Sequence, residues 1–190
     1  MSDFDLKIIN GTVANATETF QSDIGVKNGL ITAIGKKIGD AKKIIDASGK
    51  LVLPGGIEAH CHIEQESSGG IMTSDDYYSG SVSAAFGGNT CLIPFAAQHR
   101  GQKLQDVLDL YHGRAAPKSV IDYSFHLIIS DPTDEVINRE LPSVIEQGVT
   151  SFKVYMTYEK LIVDDNQMLH IMAAAKKLGA LTMIHAENNA

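Results

Sequence analysis

One stretch of the sequence decides how the rest is interpreted: residues 54–64, PGGIEAHCHIE. An apolar run at residues 51–53 leads into two glycines and then into two histidines that a single residue separates. Because side chains alternate between the faces of a strand, we predict that His60 and His62 share one face and that Cys61 takes the other. Two imidazoles on one face can bind one metal ion or two adjacent ions. Paired histidines also arise by chance, so the motif needs partners elsewhere in the chain.

Downstream of Pro54, apolar runs typical of strands alternate with stretches that carry helix signals. The pattern predicts strands over 57–63, 90–97, 121–129, 150–157 and 181–186, and helices over 74–86, 103–116, 133–147 and 166–178. Glycines at 87, 88, 148 and 179 are expected to end helices. Five strands with four intervening helices predict an α/β fold with a parallel sheet. If the series forms part of a (β/α)8 barrel, its functional residues lie at the C-terminal ends of the strands.

Residues 4–53 carry a different pattern, of short apolar runs separated by turn residues. We predict turns at Asn10-Gly11, at Asn28-Gly29 and over residues 47–50, since Asn-Gly between apolar runs is a strong hairpin signal. These turns predict a small antiparallel β unit. About fifty residues bury too little core to stand alone, so we expect this unit to pack on something else.

Composition excludes several classes of partner. The chain has 190 residues, 44% of them hydrophobic and 21% charged, which is ordinary for a globular protein. A net charge of −7 argues against nucleic acid or an anionic membrane surface as a partner. No apolar run approaches the roughly 20 residues of a membrane span, and the N-terminus has no signal-peptide pattern. With only two cysteines, we expect reduced thiols and a cytoplasmic location.

The fourth predicted strand carries a lysine in its middle. Alternation places Lys153 on the inner face and gives the outer helices an apolar face of Phe152, Val154 and Met156. A buried lysine needs an explanation, because desolvation disfavours its charge. Three interpretations are open: an ion pair with a carboxylate on a neighbouring strand, a side chain that reaches solvent, or a neutral amine that captures carbon dioxide. In the last case, the resulting carbamate would bridge two metal cations.

Three motifs, in this order and at βα spacing, resemble the cyclic amidohydrolases and within them the dihydropyrimidinase/D-hydantoinase family: residues 54–62, 151–158 and 185–188. The resemblance covers all 190 residues. It implies a partial (β/α)8 TIM barrel with a binuclear metal site, preceded by a small N-terminal β-sandwich segment. Residues 1–53 would belong to a composite sandwich domain completed by a later part of the chain, and residues 54–190 would be the first five βα units of the barrel.

The resemblance also implies a role for each motif residue. His60 and His62 would bind the more buried metal, His185 would bind the second, and Lys153 would bridge both as N-carboxylysine. Tyr158 would contact the substrate and stabilise the developing oxyanion. The implied cofactors are two divalent ions, with zinc as the default, and the carbon dioxide that carboxylates Lys153.

The implied function is a metal-dependent hydrolase of cyclic amides. A metal-bridging hydroxide would open the ring of 5,6-dihydropyrimidines or hydantoins, giving N-carbamoyl amino acids in pyrimidine catabolism. Alternatives are an allantoinase or dihydroorotase, or a non-catalytic dihydropyrimidinase-related assembly protein. Glu64 argues against a dihydroorotase, because dihydroorotase-like relatives carry an arginine at that position to hold a substrate carboxylate. The family forms homotetramers.

The remaining ligand histidine and the catalytic aspartate of the family lie on later strands, beyond Ala190. We therefore expect this chain to be the N-terminal part of a longer protein and to be inactive alone.

The other candidate residues have structural interpretations. We expect Cys61 to be a small buried hydrophobe facing the outer helices. His126, within the third predicted strand, and His170, on a helix, are interpreted as structural histidines. His112 falls at a helix end, where positive charge suits the dipole. His99 ends the second predicted strand, and we interpret it as a loop residue first and a cavity residue second.

Overall fold

The computed structural model describes residues 2–67 and 70–188, and the chain divides into two compact units, Met1–Pro54 and Gly55–Ala190. Across those described ranges, none of the helices has the length and apolarity that crossing a bilayer requires.

The first unit is one mixed sheet of five strands: β1 (Phe4–Ala14), β2 (Thr19–Lys27), β3 (Leu30–Gly35), β4 (Ala41–Asp46) and β5 (Leu51–Val52). The order is β3-β2-β1-β4, and β5 pairs with β1 further along the strand. The predicted turn at Asn28-Gly29 is confirmed. Its residues have φ values of 52° and 77°, the left-handed region that a tight hairpin between right-twisted strands requires.

The prediction of a purely antiparallel unit is wrong. Asn10-Gly11 is not a hairpin turn, because β1 runs straight through it with an irregularity in its pairing to β2 between Ile8 and Gly11. Asn10 has a φ of 61°, and a Cβ on Gly11 would come within 2.5 Å of Val52 Cγ2. The two residues therefore make a bulge that lets β5 approach closely.

The last two strands of this unit were also predicted as a hairpin, and they do not pair with each other. β4 and β5 both run parallel to β1, with Leu6 opposite Lys43 and Thr12 opposite Leu51. The turn between them moves the chain along β1 instead of reversing it. The described residues of this unit form a single sheet, so a two-layer sandwich is not complete within them.

The second unit alternates parallel strands with helices. Its strands are β6 (Gly56–Glu58), β7 (Asn89–Leu92), β8 (Phe95–Ala97), β9 (Asp122–Tyr123), β10 (His126–Ile128), β11 (Ser151–Tyr155) and β12 (Leu181–His185). Its helices are α1 (Tyr77–Phe86), α2 (Leu104–Ala115), a π-helix (Val136–Glu140) that continues into α3 (Leu141–Glu146), and α4 (Asp165–Leu178).

All strand pairs of this unit are parallel, as predicted, in the orders β6-β7-β9 and β8-β10-β11-β12. Because β7 with β8, and β9 with β10, are consecutive pieces of single predicted strands, the five predicted strands lie side by side in chain order.

The observed strands and helices of this unit differ from the predicted ones at three places, and a proline lies at two of them. The first strand ends at Glu58 and not at Ile63. The second is interrupted before Phe95 at Pro94, which has no N–H for a strand ladder. The predicted helix over 133–147 starts as a π-helix, and Pro142 follows in the first turn of α3, where the missing N–H breaks the regular pattern.

Helix ends follow the predicted chemistry more closely. Asp76 and Asp164 cap α1 and α4 by accepting hydrogen bonds from Ser79 N and Gln167 N, both at 2.8 Å. Gly87 ends α1, and Gly179 ends α4 with a φ of 72°. Glycine adopts that left-handed conformation without strain from a Cβ, so it stops the helix cheaply.

Two apolar clusters lie on opposite faces of the parallel strands. The larger packs the strands against the helices and includes Phe152 and Val154, as alternation predicted. The prediction is wrong for Met156, which follows the end of β11 and is 38% exposed. The smaller, which we call the inner cluster, consists of Phe95, Ala97, Ile128 and Tyr155, with Leu161 and Met183 packed against it.

Replacing Phe152, which is fully buried, tests the larger cluster. We expect Phe152→Ala to lower the free energy of unfolding by about 3–5 kcal/mol, because the side chain loses its burial and leaves a cavity. Phe86→Ala is the matched control: that ring is 91% exposed at the end of α1, and its loss should cost less than about 0.5 kcal/mol. Urea titration followed by circular dichroism measures both changes, and equal costs would contradict this assignment of the core.

Candidate active site

The buried ring of Phe95, at the start of β8, brings three of the predicted site residues together. Its centroid lies 5.1 Å from that of His60, 4.8 Å from that of His62 and 5.7 Å from Nζ of Lys153. The two histidine rings are 5.8 Å apart. Residues that are separated by more than 90 positions in the sequence therefore meet on one apolar floor.

His60 and His62 share a face even though the regular strand ends before them. The backbone there is held by two hydrogen bonds: Phe95 N donates to Cys61 O (3.4 Å), and His60 N donates to a Glu58 carboxylate oxygen (2.9 Å). Cys61 points the other way and packs against the larger apolar cluster, as predicted. Burial there raises the pKa of its thiol to about 11, so it remains protonated and a poor metal ligand.

Lys153, on β11, is only 8% exposed, so it does not extend into solvent. Its Nζ lies over the rings of Phe95 and Tyr155, 5.7 Å and 5.2 Å from their centroids. Within residues 2–67 and 70–188, no carboxylate lies within ion-pair distance of this amine. Burial lowers the pKa of Lys153, which favours the neutral amine.

Tyr155 links this lysine to the remaining two predicted residues. Its ring stacks on His185, at the end of β12, with centroids 5.4 Å apart. Tyr158 lies 5.8 Å from Tyr155 and 5.2 Å from His185. Nε2 of His185 also contacts a Glu187 carboxylate oxygen at 2.8 Å.

Tyr158 has an unusual backbone. Its φ is +70°, a left-handed value that is uncommon for a bulky residue. Its carbonyl accepts hydrogen bonds from Leu161 N (2.7 Å) and Ile162 N (2.8 Å), which close a tight turn directly after β11. The turn holds the tyrosine ring beside His185 and away from the outer helices.

The prediction that His126 is structural is confirmed. Its Nε2 hydrogen bonds to Ala59 O at 3.0 Å, and its Nδ1 bonds to the hydroxyl of Ser151. Burial lowers the pKa of this imidazole. Both ring nitrogens are used by the fold, so neither is available to a metal ion. His112 lies in the last turn of α2, as predicted, where Nδ1 contacts the Tyr123 hydroxyl at 3.3 Å.

A cavity of about 280 Å³ opens beside these residues. Its walls include three residues of the predicted site or its floor, namely His62, Tyr155 and Tyr158, and several residues not predicted from the sequence. The polar side chains among these additional residues include Gln65, Glu66 and Lys160. His99 was predicted first as a loop residue; it follows β8 and does line the cavity. The loop over 67–73 contributes Ser67 and Thr73 to the cavity, while its residues 68 and 69 lie outside the described part of the chain.

Glu64, which stands where dihydroorotase-like relatives carry an arginine, does not line this cavity. Its carboxylate pairs with Lys118 Nζ at 2.7 Å, and its carbonyl accepts a hydrogen bond from Arg114 Nη1 at 2.9 Å. The side chain thus turns to the C-terminal end of α2. Substituting Glu64 would therefore weaken the anchoring of the loop that follows His62, and it would affect a bound ligand only indirectly.

Across the described ranges 2–67 and 70–188, no group of three or more His, Cys, Asp or Glu side chains is arranged to hold a metal ion. The described donors are the pair His60 and His62, with Lys153 and His185 further along the same face. A protonated lysine is not a metal ligand, so this set becomes a metal site only if the chemistry of Lys153 changes.

Comparison with known proteins first identifies the class. No protein-family model matches the chain. Among solved structures, a D-hydantoinase superimposes with a TM-score of 0.92 at 42% identity, over 98% of this chain and 40% of the other. The fold is therefore the α/β fold of the N-terminal part of an amidohydrolase.

Sequence comparison then identifies the family. A D-hydantoinase of Geobacillus stearothermophilus is 45% identical over 95% of this chain, and a dihydropyrimidinase of Dictyostelium discoideum is 40% identical over 95%. These matches span only 39% and 36% of the two relatives. The chain is thus a homologue of the D-hydantoinases and dihydropyrimidinases, as its motifs indicated, and it spans about two fifths of their length.

Because Lys153 is buried, we predict that the free energy of unfolding of the metal-free protein depends on pH. The folded state binds the proton of this amine less tightly than the unfolded chain does, so unfolding takes up a proton. Stability should therefore rise with pH between the lowered pKa and the ordinary value of about 10.5. Lys153→Met should remove this rise and add about 1–3 kcal/mol at neutral pH. Denaturant titrations across pH measure it, with exposed Lys36→Met as the control; a wild-type stability that falls with pH in this window would contradict it.

Proposed function

We propose that the whole protein to which this chain belongs is a metal-dependent hydrolase of cyclic amides, which opens the ring of 5,6-dihydropyrimidines or hydantoins to N-carbamoyl amino acids. The observation that carries the proposal is that His60, His62, Lys153 and His185 lie along one face of the parallel strands of a hydantoinase-like fold, where His62 lines the cavity. The similarity to D-hydantoinases and a dihydropyrimidinase favours these substrates over those of allantoinases and dihydroorotases.

The chemistry of the donor set fits two divalent cations, most simply zinc. His60 and His62 would hold the first ion, and His185 would hold the second. Lys153 would provide the bridge. Its amine is buried and, within the described residues, has no carboxylate partner, and burial favours the neutral form that can attack carbon dioxide. In that step a C–N bond forms, the nitrogen loses a proton, and the product is a carbamate anion with two oxygen donors.

When bound, the cations would lower the pKa of a coordinated water towards about 7 and polarise the carbonyl of the ring. The chain's own residues would then orient the substrate and stabilise charge. The Tyr158 hydroxyl, held by the tight turn after β11, would donate a hydrogen bond to the oxygen on which negative charge develops. Phe95 and Tyr155 would exclude water from the floor of the site.

The rest of the longer protein would complete the metal site and the sheet. Residues 1–53 expose large apolar side chains, among them Leu30 (68%), Ile31 (62%) and Leu51 (63%), and we propose that later residues cover them in a composite sandwich domain. A further histidine ligand, a catalytic aspartate and the remaining barrel strands would follow, so the 190 residues alone should be inactive. We further propose a cytoplasmic homotetramer that takes a small-molecule substrate.

Lys153→Ala in the full-length protein tests the proposal. We expect metal content to fall from two ions per subunit to less than half an ion, and kcat/KM for dihydrouracil or hydantoin to fall at least 10³-fold, because both cations lose their bridging ligand. Metal analysis by mass spectrometry and a ring-opening assay measure the two effects.

Lys36→Ala, on the exposed surface of the first unit, should keep both metal and activity. If Lys153→Ala retains turnover, the carbamate assignment is wrong. A folded wild-type protein that binds no metal and hydrolyses neither class of ring would overturn the enzyme assignment itself.

A further inference from the structure

Gln65 occupies a position that the sequence did not single out. Its side chain is 9% exposed, and its Oε1 lies 2.7 Å from Nδ1 of His62. A carboxamide oxygen can only accept a hydrogen bond, so this contact requires the proton of the neutral imidazole to be on Nδ1. Nε2 then carries the free lone pair, and no hydrogen bond from the described residues reaches it.

The backbone on both sides of Gln65 is fixed, which makes this contact more than a chance encounter of two flexible side chains. Gln65 N donates to Thr73 Oγ1 (3.1 Å), and Thr73 N donates back to Gln65 O (3.0 Å). On the other side, Glu64 N donates to Asp75 O (2.9 Å), and its carboxylate is held by Lys118. The glutamine therefore extends from a backbone that is anchored before and after it.

Two neighbouring histidines, His126 and His185, use their ring nitrogens differently from His62. His126 uses both of its ring nitrogens within the fold, and His185 contacts Glu187 through Nε2. His62 alone among these three has Nδ1 held and Nε2 left for the cavity. A hydrogen bond to the second nitrogen of a metal-binding imidazole typically orients the ring and raises its basicity.

We infer that Gln65 is a positioning residue that holds His62 as the Nδ1–H tautomer and directs its Nε2 towards the cation site. The inference rests on the proposed function for the presence of a cation, but it concerns a contact within this chain. Removing the amide oxygen frees the ring to rotate and to adopt the opposite tautomer, in which Nε2 carries the proton and cannot bind a metal.

The test is the metal affinity of the full-length protein with Gln65→Leu, measured by competition with a chelator for zinc and by the absorption spectrum of the cobalt-substituted protein. We expect the affinity at the His62 site to fall 10- to 100-fold and the cobalt spectrum to change. Gln65→Asn, which stays polar but is one methylene too short to reach Nδ1, should show the same loss. Gln65→Glu keeps an acceptor at the same distance and should restore affinity to within about threefold of wild type.

Gln105→Leu is the matched control, since that amide lies on the exposed side of α2 and bonds to Asp109 and Gln147. It should leave metal affinity unchanged. If Gln65→Leu and Gln65→Asn both fold and bind metal as tightly as wild type, the inference is overturned. If Gln65→Glu fails to restore affinity, the hydrogen bond is likewise not the cause of the loss.

The results that would contradict the proposed function differ from those that would contradict the inference about Gln65. A wild-type protein that binds metal but opens no cyclic amide would sink the substrate assignment, while the effect of Gln65 on affinity would stand. A wild-type protein that is fully active, with variants of Gln65 that keep their metal, would overturn the inference about Gln65 alone.

Discussion

The alternation of side chains across the parallel strands is the constraint on which the rest of the second unit depends. One face of β8, β10 and β11 packs against helices, and the other carries Phe95 and Tyr155 with the polar residues of the site. Together these two rings contact all three predicted site histidines, Lys153 and Tyr158. The inner apolar cluster is small, and its function is to fix distances between polar groups more than to add to stability.

Burial of an amine against two aromatic rings follows from the same constraint. Lys153 lies between Phe152 and Val154, whose packing against the outer helices leaves the lysine no choice of face. Its charge is disfavoured there, and the described residues provide no carboxylate to offset it. The site therefore destabilises the protonated form of Lys153. Binding of a ligand or a covalent change of the amine would remove this unfavourable free energy. Such a residue is far more informative about function than a histidine pair.

Sequence patterns predicted the parallel βα series, its glycine helix ends and the inward face of β11, because these follow from periodicity and backbone preference. The sequence patterns failed where contacts with a distant segment of the chain determine the local structure. Asn10-Gly11 has the composition of a turn, yet the pairing of β1 with β5 makes it a bulge. Nothing in the sequence indicated that the Glu64 carboxylate would pair with Lys118, more than fifty positions away. Gln65 was overlooked because nothing local marks a glutamine as the partner of a histidine three residues earlier.

The left-handed backbone of Tyr158 bears on how this protein can change over evolution. Holding a bulky residue at φ +70° costs of order 1 kcal/mol, and two hydrogen bonds to its carbonyl keep the turn closed. Drift towards greater stability would favour glycine at this position, and glycine would also remove the Tyr158 hydroxyl. Under the proposed role of Tyr158, the requirements of a stable turn and of activity therefore oppose each other at this one residue.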